Sequence, residues 1–91
     1  MSDTISAPFN QEVVLKWFRR YPQFETFIGA GVISLKLARE ILDVDRYFMY
    51  DIYCELIQAG AIAPAGTNGF RATKSMQKFL RERRAQARST E

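Results

Sequence analysis

Arg71, Lys74, Lys78, Arg81, Arg84 and Arg88 are the residues whose type and spacing point most directly to chemistry. Lys74, Lys78, Arg81 and Arg88 follow one another at steps of 4, 3 and 7, which a helix gathers near one face. Arg84 falls close by, three residues beyond Arg81. A row of like cations neutralises phosphate and attracts polyanions. The charge is unevenly placed. Residues 1–60 carry six Lys/Arg against eight Asp/Glu, residues 61–91 carry seven against two, and the chain as a whole is +3. The plain structural reading of the same run is a solvated helix with a basic tail.

Other reactive side chains offer less. The chain has no histidine, which removes Ser-His and Cys-His nucleophile pairs, imidazole acid-base chemistry and most metal sites. Its single cysteine, Cys54, excludes an internal disulfide framework and cysteine-based zinc sites. No base or cationic activator lies near Cys54 in the sequence, so a small half-buried thiol is the simplest reading. Asp43 and Asp45 are paired carboxylates, but their place at a helix boundary reads as capping. Gly29-x-Gly31 and Gly66-x-x-Gly69 lack the spacing and the Lys-Ser/Thr ending of a phosphate loop. No catalytic residue, metal ligand or cofactor is expected.

The elements that must position these residues fit one small domain of 91 residues, with 47% hydrophobic and 25% charged content. Residues 1–8 read as a flexible tail, 9–84 as the domain and 85–91 as a basic C-terminal tail. No apolar run approaches the ~20 residues of a membrane span, and the N-terminus has no signal-peptide pattern. A cytoplasmic protein with no membrane partner is expected. Seven Phe, four Tyr and one Trp are many rings for so short a chain. Some of them point to a dimer through the terminal helices or to another partner surface.

Val13, Val14, Trp17, Phe18 and Tyr21 share one face of a first helix, begun by Pro8 or capped by Asn10 and ended by Pro22. Gln23 to Ile28 can add a short turn before the Gly29-Ala30-Gly31 break. Ser34 caps the next helix, whose apolar stripe is Leu35, Ala38, Ile41 and Leu42. After the turn at 43–45, Asp45 caps a helix that runs to Ala59, with Gly60 as its stop. Ile52, Leu56 and either Phe48 or Met49 form its buried edge. Residues 61–63 and 70–72 read as two edge strands, with Asn68-Gly69 supplying positive φ between them. Val32-Ile33 is too short to stand alone but can pair with a later segment. Thr73 or Ser75 caps a last helix with Met76, Phe79 and Leu80 inside, and Arg83 joins the cations that decorate its outer side.

The fold class is therefore a helix-rich α+β domain. On Ile33-Ser34, residues 37–45, residues 56–62 and the Gly66–Thr73 hairpin, about half of the chain resembles the winged helix-turn-helix superfamily. That resemblance implies a mainly helical fold with a small β-hairpin wing. It also implies double-stranded DNA as partner, with the second helix in the major groove and the wing on backbone or minor groove. Carried over by position, Arg46, Tyr47, Tyr50, Asp51, Cys54 and Gln58 face outward on that helix. Thr67, Asn68, Arg71 and Lys74 lie on or beside the wing, and Lys36 and Arg39 reach phosphate. Lys78, Arg81 and Arg84 extend the phosphate-attracting set. One departure stands out. Asp45 to Gly60 holds one basic residue, Arg46, against Asp45, Asp51 and Glu55, whereas base readout favours Arg, Lys, Asn and Gln. Two functions follow as expectations. The first is a DNA-binding small regulator or phage or mobile-element accessory factor. The second is a protein-interaction module that uses the acidic, Tyr-rich second helix.

Overall fold

The computed structural model of the chain describes residues 9–89. The tail expected over 1–8, and residues 90 and 91 of the basic tail, lie outside them. The described residues form an α+β domain of five helices and a small antiparallel sheet. In chain order these are α1 (Gln11–Arg20), α2 (Gln23–Phe27), β1 (Ile33–Ser34), α3 (Leu35–Leu42), α4 (Arg46–Gln58), β2 (Ile62–Ala65), β3 (Gly69–Ala72) and α5 (Lys74–Ser89). The last helix thus continues past residue 84, into the stretch that the sequence suggests as a basic tail.

Local hydrogen bonding sets the helix ends. The Asn10 side chain accepts from the Glu12 and Val13 amides, Ser34 Oγ from Leu37, and Asp45 from Phe48 at 2.8 Å. Each cap satisfies a donor that the first helical turn leaves without a partner. Helix α3 stops where Asp43 takes a left-handed conformation (φ 57°) and the Val44 amide reaches back to Arg39 O. At the end of α4, Gly60 has φ 72°. Its amide donates to Ile57 O and that of Ala61 to Leu56 O, the reciprocal pair that closes a helix against a left-handed residue. Between the two Ser/Thr candidates, Thr73 caps α5. Its Oγ1 accepts from the Met76 amide at 3.2 Å and donates to Gly60 O at 2.6 Å, which ties the start of α5 to the end of α4.

The strand order is β1-β3-β2, so β3 is central. This corrects the expectation of two edge strands. Val32-Ile33 carries too little local signal to be read as a strand, yet Ile33 pairs with Phe70 and Ser34 with Gly69. Pro64 lies opposite Phe70 on β2, an edge strand that can spare an amide donor. A second correction concerns the hairpin. Positive φ falls on Gly66 (69°), not on Asn68-Gly69. Gly69 is small for a different reason. A Cβ there would lie 2.8 Å from Ala65 O and 2.9 Å from Ile33 O, because both neighbouring strands press on it.

The core draws on every helix. Val14, Trp17 and Phe18 meet Phe24, Phe27 and Ile28, and beside them lie Ala38, Leu42, Met49, Ile52, Leu56, Phe70, Met76 and Leu80. No polar or charged residue is buried among the described residues. Of the two candidates for the α4 edge, Met49 is buried and Phe48 is half-buried against Trp17 and Tyr21. Arg83 departs from its expected place among the outward cations of α5. Its Nε donates to Glu25 at 2.8 Å and its guanidinium sits 5.6 Å from the Phe18 ring, fastening α5 to α1 and α2.

Candidate nucleic-acid interface

Three elements converge on one open groove of about 790 Å³. Leu35, Lys36 and Arg39 come from the first turns of α3, and Arg46, Tyr47, Met49, Tyr50 and Asp51 from the first half of α4. Asn68 comes from the hairpin tip. The tip is held in place by backbone, since the Leu35 amide at the start of α3 donates to Asn68 O at 2.8 Å. The Asp43 turn and the Asp45 cap set α3 and α4 side by side, so cations from two helices face one space.

Apolar side chains (Leu35, Met49), two tyrosine rings and polar or charged groups line the groove together. Tyr47 is 70% exposed and Tyr50 60%. The Arg46 guanidinium lies 5.0 Å from the Tyr47 ring centre and donates to its hydroxyl at 3.1 Å. Tyr50 packs on Tyr53 at 6.1 Å, and Tyr53 on the buried Phe70 at 6.1 Å, so a ladder of rings runs from the core to the surface. One turn along α4, Cys54 raises the Tyr50 hydroxyl above the ordinary tyrosine value, first through hydrogen bonding and then through charge. Tyr50 therefore stays neutral at physiological pH. Lys36, Arg39 and Arg46 form no ion pair among the described residues. Asp51 is the one carboxylate lining the groove among those residues.

A second, smaller groove of about 490 Å³ lies on the other flank of α4, toward α1. Lys16, Trp17, Arg20, Phe48, Glu55 and Gln58 line it, and Asp51 borders both grooves. Arg20 sits over Trp17, Tyr21 and Phe48, within 5.1–5.8 Å of each ring centre. Lys16 and Trp17 Nε1 both donate to Glu55 Oε1, and the Lys16 contact is the main reason the Glu55 carboxyl is held below its ordinary value. Arg20 is not among the residues that sequence reasoning selects. Its signal is the Trp17-x-x-Arg20-Tyr21 spacing, which seats a cation one helical turn from an indole.

The residues nominated from sequence thus divide into three groups. Lys36, Arg39, Arg46, Tyr47, Tyr50 and Asn68 come together in the larger groove, while Gln58 belongs to the smaller one. Arg71 is exposed on β3, between the buried Phe70 and Ala72. Lys74, Lys78, Arg81 and Arg84 are exposed on α5 and line neither groove. They too are free of ion pairs among the described residues. Helices α4 and α5 address different sides of α1. Trp17 meets Phe48 and Glu55 of α4, and Phe18 meets Arg83 of α5. Among the described residues no group of His, Cys, Asp or Glu could hold a metal ion, and no helix is long and apolar enough to cross a membrane.

Comparison of the chain with protein-family models, with curated proteins and with solved structures finds no match.

Proposed function

We propose that this is a DNA-binding, non-enzymatic protein of the winged helix-turn-helix kind. In this reading α3 and α4 are the helix pair and the β2–β3 hairpin is the wing. The observation that carries it is the convergence of Lys36, Arg39 and Arg46, from two helices, with Asn68 at the hairpin tip. Unpaired cations beside hydrogen-bonding side chains are what a phosphate backbone requires. The α5 stripe and Arg71 add sequence-independent attraction. A small domain of this kind suits a cytoplasmic regulator or a phage or mobile-element accessory factor, acting as a homodimer through its terminal helices.

Fluorescence anisotropy with labelled DNA over a range of salt concentrations tests this. Binding should weaken steeply as salt rises, and Arg39→Ala with Arg46→Ala should reduce affinity for every sequence. Binding that is absent at low salt on all DNA forms would sink the proposal.

One observation favours a second reading. Leu37 and Ile41 lie one turn apart on the outer face of α3, 45% and 38% exposed, and Tyr47 and Tyr50 of α4 are exposed as well. An interaction module would use such a surface for a protein partner. In that case Leu37→Ser or Tyr47→Ala abolishes complex formation in a pull-down, and salt has little effect.

A further inference from the structure

We infer that the groove between α3, α4 and the hairpin tip accepts an unpaired nucleotide, so that the protein prefers gapped or frayed DNA to intact duplex. This rests on the DNA-binding reading above and specifies the form of DNA bound.

The first argument is shape. A helix that reads an intact duplex enters a major groove about 12 Å wide and must stand proud of its neighbours. The first half of α4 instead flanks an open groove of about 790 Å³, bordered on its other sides by α3 and by Asn68. A recess of that size suits a small ligand, and one or two extruded nucleotides fall in that class.

The second argument is chemistry. Base-edge readout in a duplex calls for Arg, Lys, Asn or Gln on the inserted helix. In this groove α4 presents Arg46 alone of those types, together with Tyr47, Tyr50 and the carboxylate of Asp51. The Asp51 carboxylate is repelled by phosphate and can accept from a base amino group whether that base is paired or not, so the rings decide between the two forms. Tyrosine rings suit bases that have left the stack, since every base has a π-face. Tyr50 is well braced for that work, because Tyr53 and the buried Phe70 stand behind it.

The third argument is the distribution of charge. The cations stand beside the rings, with Lys36 and Arg39 on α3 and Arg46 against Tyr47. A stacked base at Tyr50 puts its flanking phosphates within the same groove as these side chains. The basic stripe of α5, outside the groove, can meanwhile hold adjoining double-stranded DNA.

The test compares three labelled DNAs of one sequence at fixed ionic strength: an intact duplex, the same duplex with a short single-stranded gap, and the single strand. The gapped duplex should bind about tenfold or more tightly than the intact one, as expected for the gain of one stacked base. Tyr50→Leu should reduce gapped-duplex affinity to the intact-duplex level, and Tyr50→Phe should keep the preference because the ring remains. Lys78→Ala, outside the groove, should weaken the intact and the gapped duplex by the same factor and leave their ratio unchanged. Circular dichroism establishes that each variant is folded, and Tyr47→Leu gives the same reading should Tyr50→Leu unfold. Equal or tighter binding of the intact duplex, with no distinction between the Leu and Phe variants, overturns the inference and leaves DNA binding standing. Failure of all three DNAs to bind overturns both.

Discussion

The Trp17 indole Nε1 donates to the Glu55 carboxylate at 3.1 Å and so joins α1 to α4 beside the smaller groove. Lys16 Nζ meets the same oxygen at 2.8 Å. The two donors differ in what happens to them when the acceptor goes. Lys16 is half exposed and returns to water, whereas the indole N–H is part-buried. Lys16→Ala should therefore cost under about 1 kcal/mol, as exposed pairs do. Glu55→Ala should cost about 1–2 kcal/mol by leaving the indole unsatisfied. Urea melts of the two variants check the order.

The same carboxylate gives a pH dependence. The folded-state pKa of Glu55 lies below its ordinary value, chiefly because of Lys16. A depressed carboxyl contributes stability above its unfolded pKa and loses it as pH falls through the folded one. The stability gap between the natural chain and Glu55→Gln should be constant near neutrality and shrink below the ordinary glutamate value of 4.5. Denaturant melts across that range measure it. A gap that widens on acidification would contradict the assignment.

Gly69 and Gly66 make a contrasting pair. An alanine at Gly69 puts its Cβ 2.8 and 2.9 Å from two backbone carbonyls, neither of which can rotate away. At Gly66 a Cβ meets nothing within 4 Å, and the cost is the positive φ of 69° alone. Gly69→Ala should destabilise by about 3 kcal/mol or more through overpacking, and Gly66→Ala by about 1 kcal/mol. Thermal unfolding of both variants gives the comparison.

Arg83 and Arg84 are neighbours in sequence with different surroundings. Arg83 makes two hydrogen bonds to Glu25 and lies over Phe18 and Phe79. Arg84 is exposed. Arg83→Ala should lower stability by about 1–2 kcal/mol and speed amide exchange in the second half of α5, with the pair discounted for its partial exposure. Arg84→Ala should leave both unchanged while weakening DNA binding. Hydrogen exchange and anisotropy on the same two proteins separate the roles.

For the α5 stripe, replacing Lys74, Lys78, Arg81 and Arg84 by Ala should flatten the salt dependence of duplex binding. Each phosphate that is no longer neutralised takes about 0.9 from the slope of log K against log salt. A slope that stays unchanged would remove α5 from the binding surface.

The sequence by itself determined the order of the helices and the ends of α3 and α4. Ser34 and Asp45 cap amides three residues ahead, and Gly60 closes α4 through bonds from its own amide and its neighbour's to the last turn. Such bonds lie within a few residues of chain, so residue type and spacing reveal them. The α+β class was legible for the same reason, and so was the basic stripe, because helical periodicity alone aligns its members. Tertiary structure decided the rest. The β1–β3 pairing joins Ile33 to Phe70, and only that pairing explains why position 69 has no room for a side chain on the β1 side. The larger groove depends on packing α3 against α4 and on the backbone bond from Leu35 to Asn68, residues far apart in the sequence. Arg83 and Arg84 look alike in the sequence, and the position of Glu25 in the folded chain is what separates them. Local hydrogen bonds and periodicity can be read along a chain. Which distant side chains share a groove is set by how the core packs.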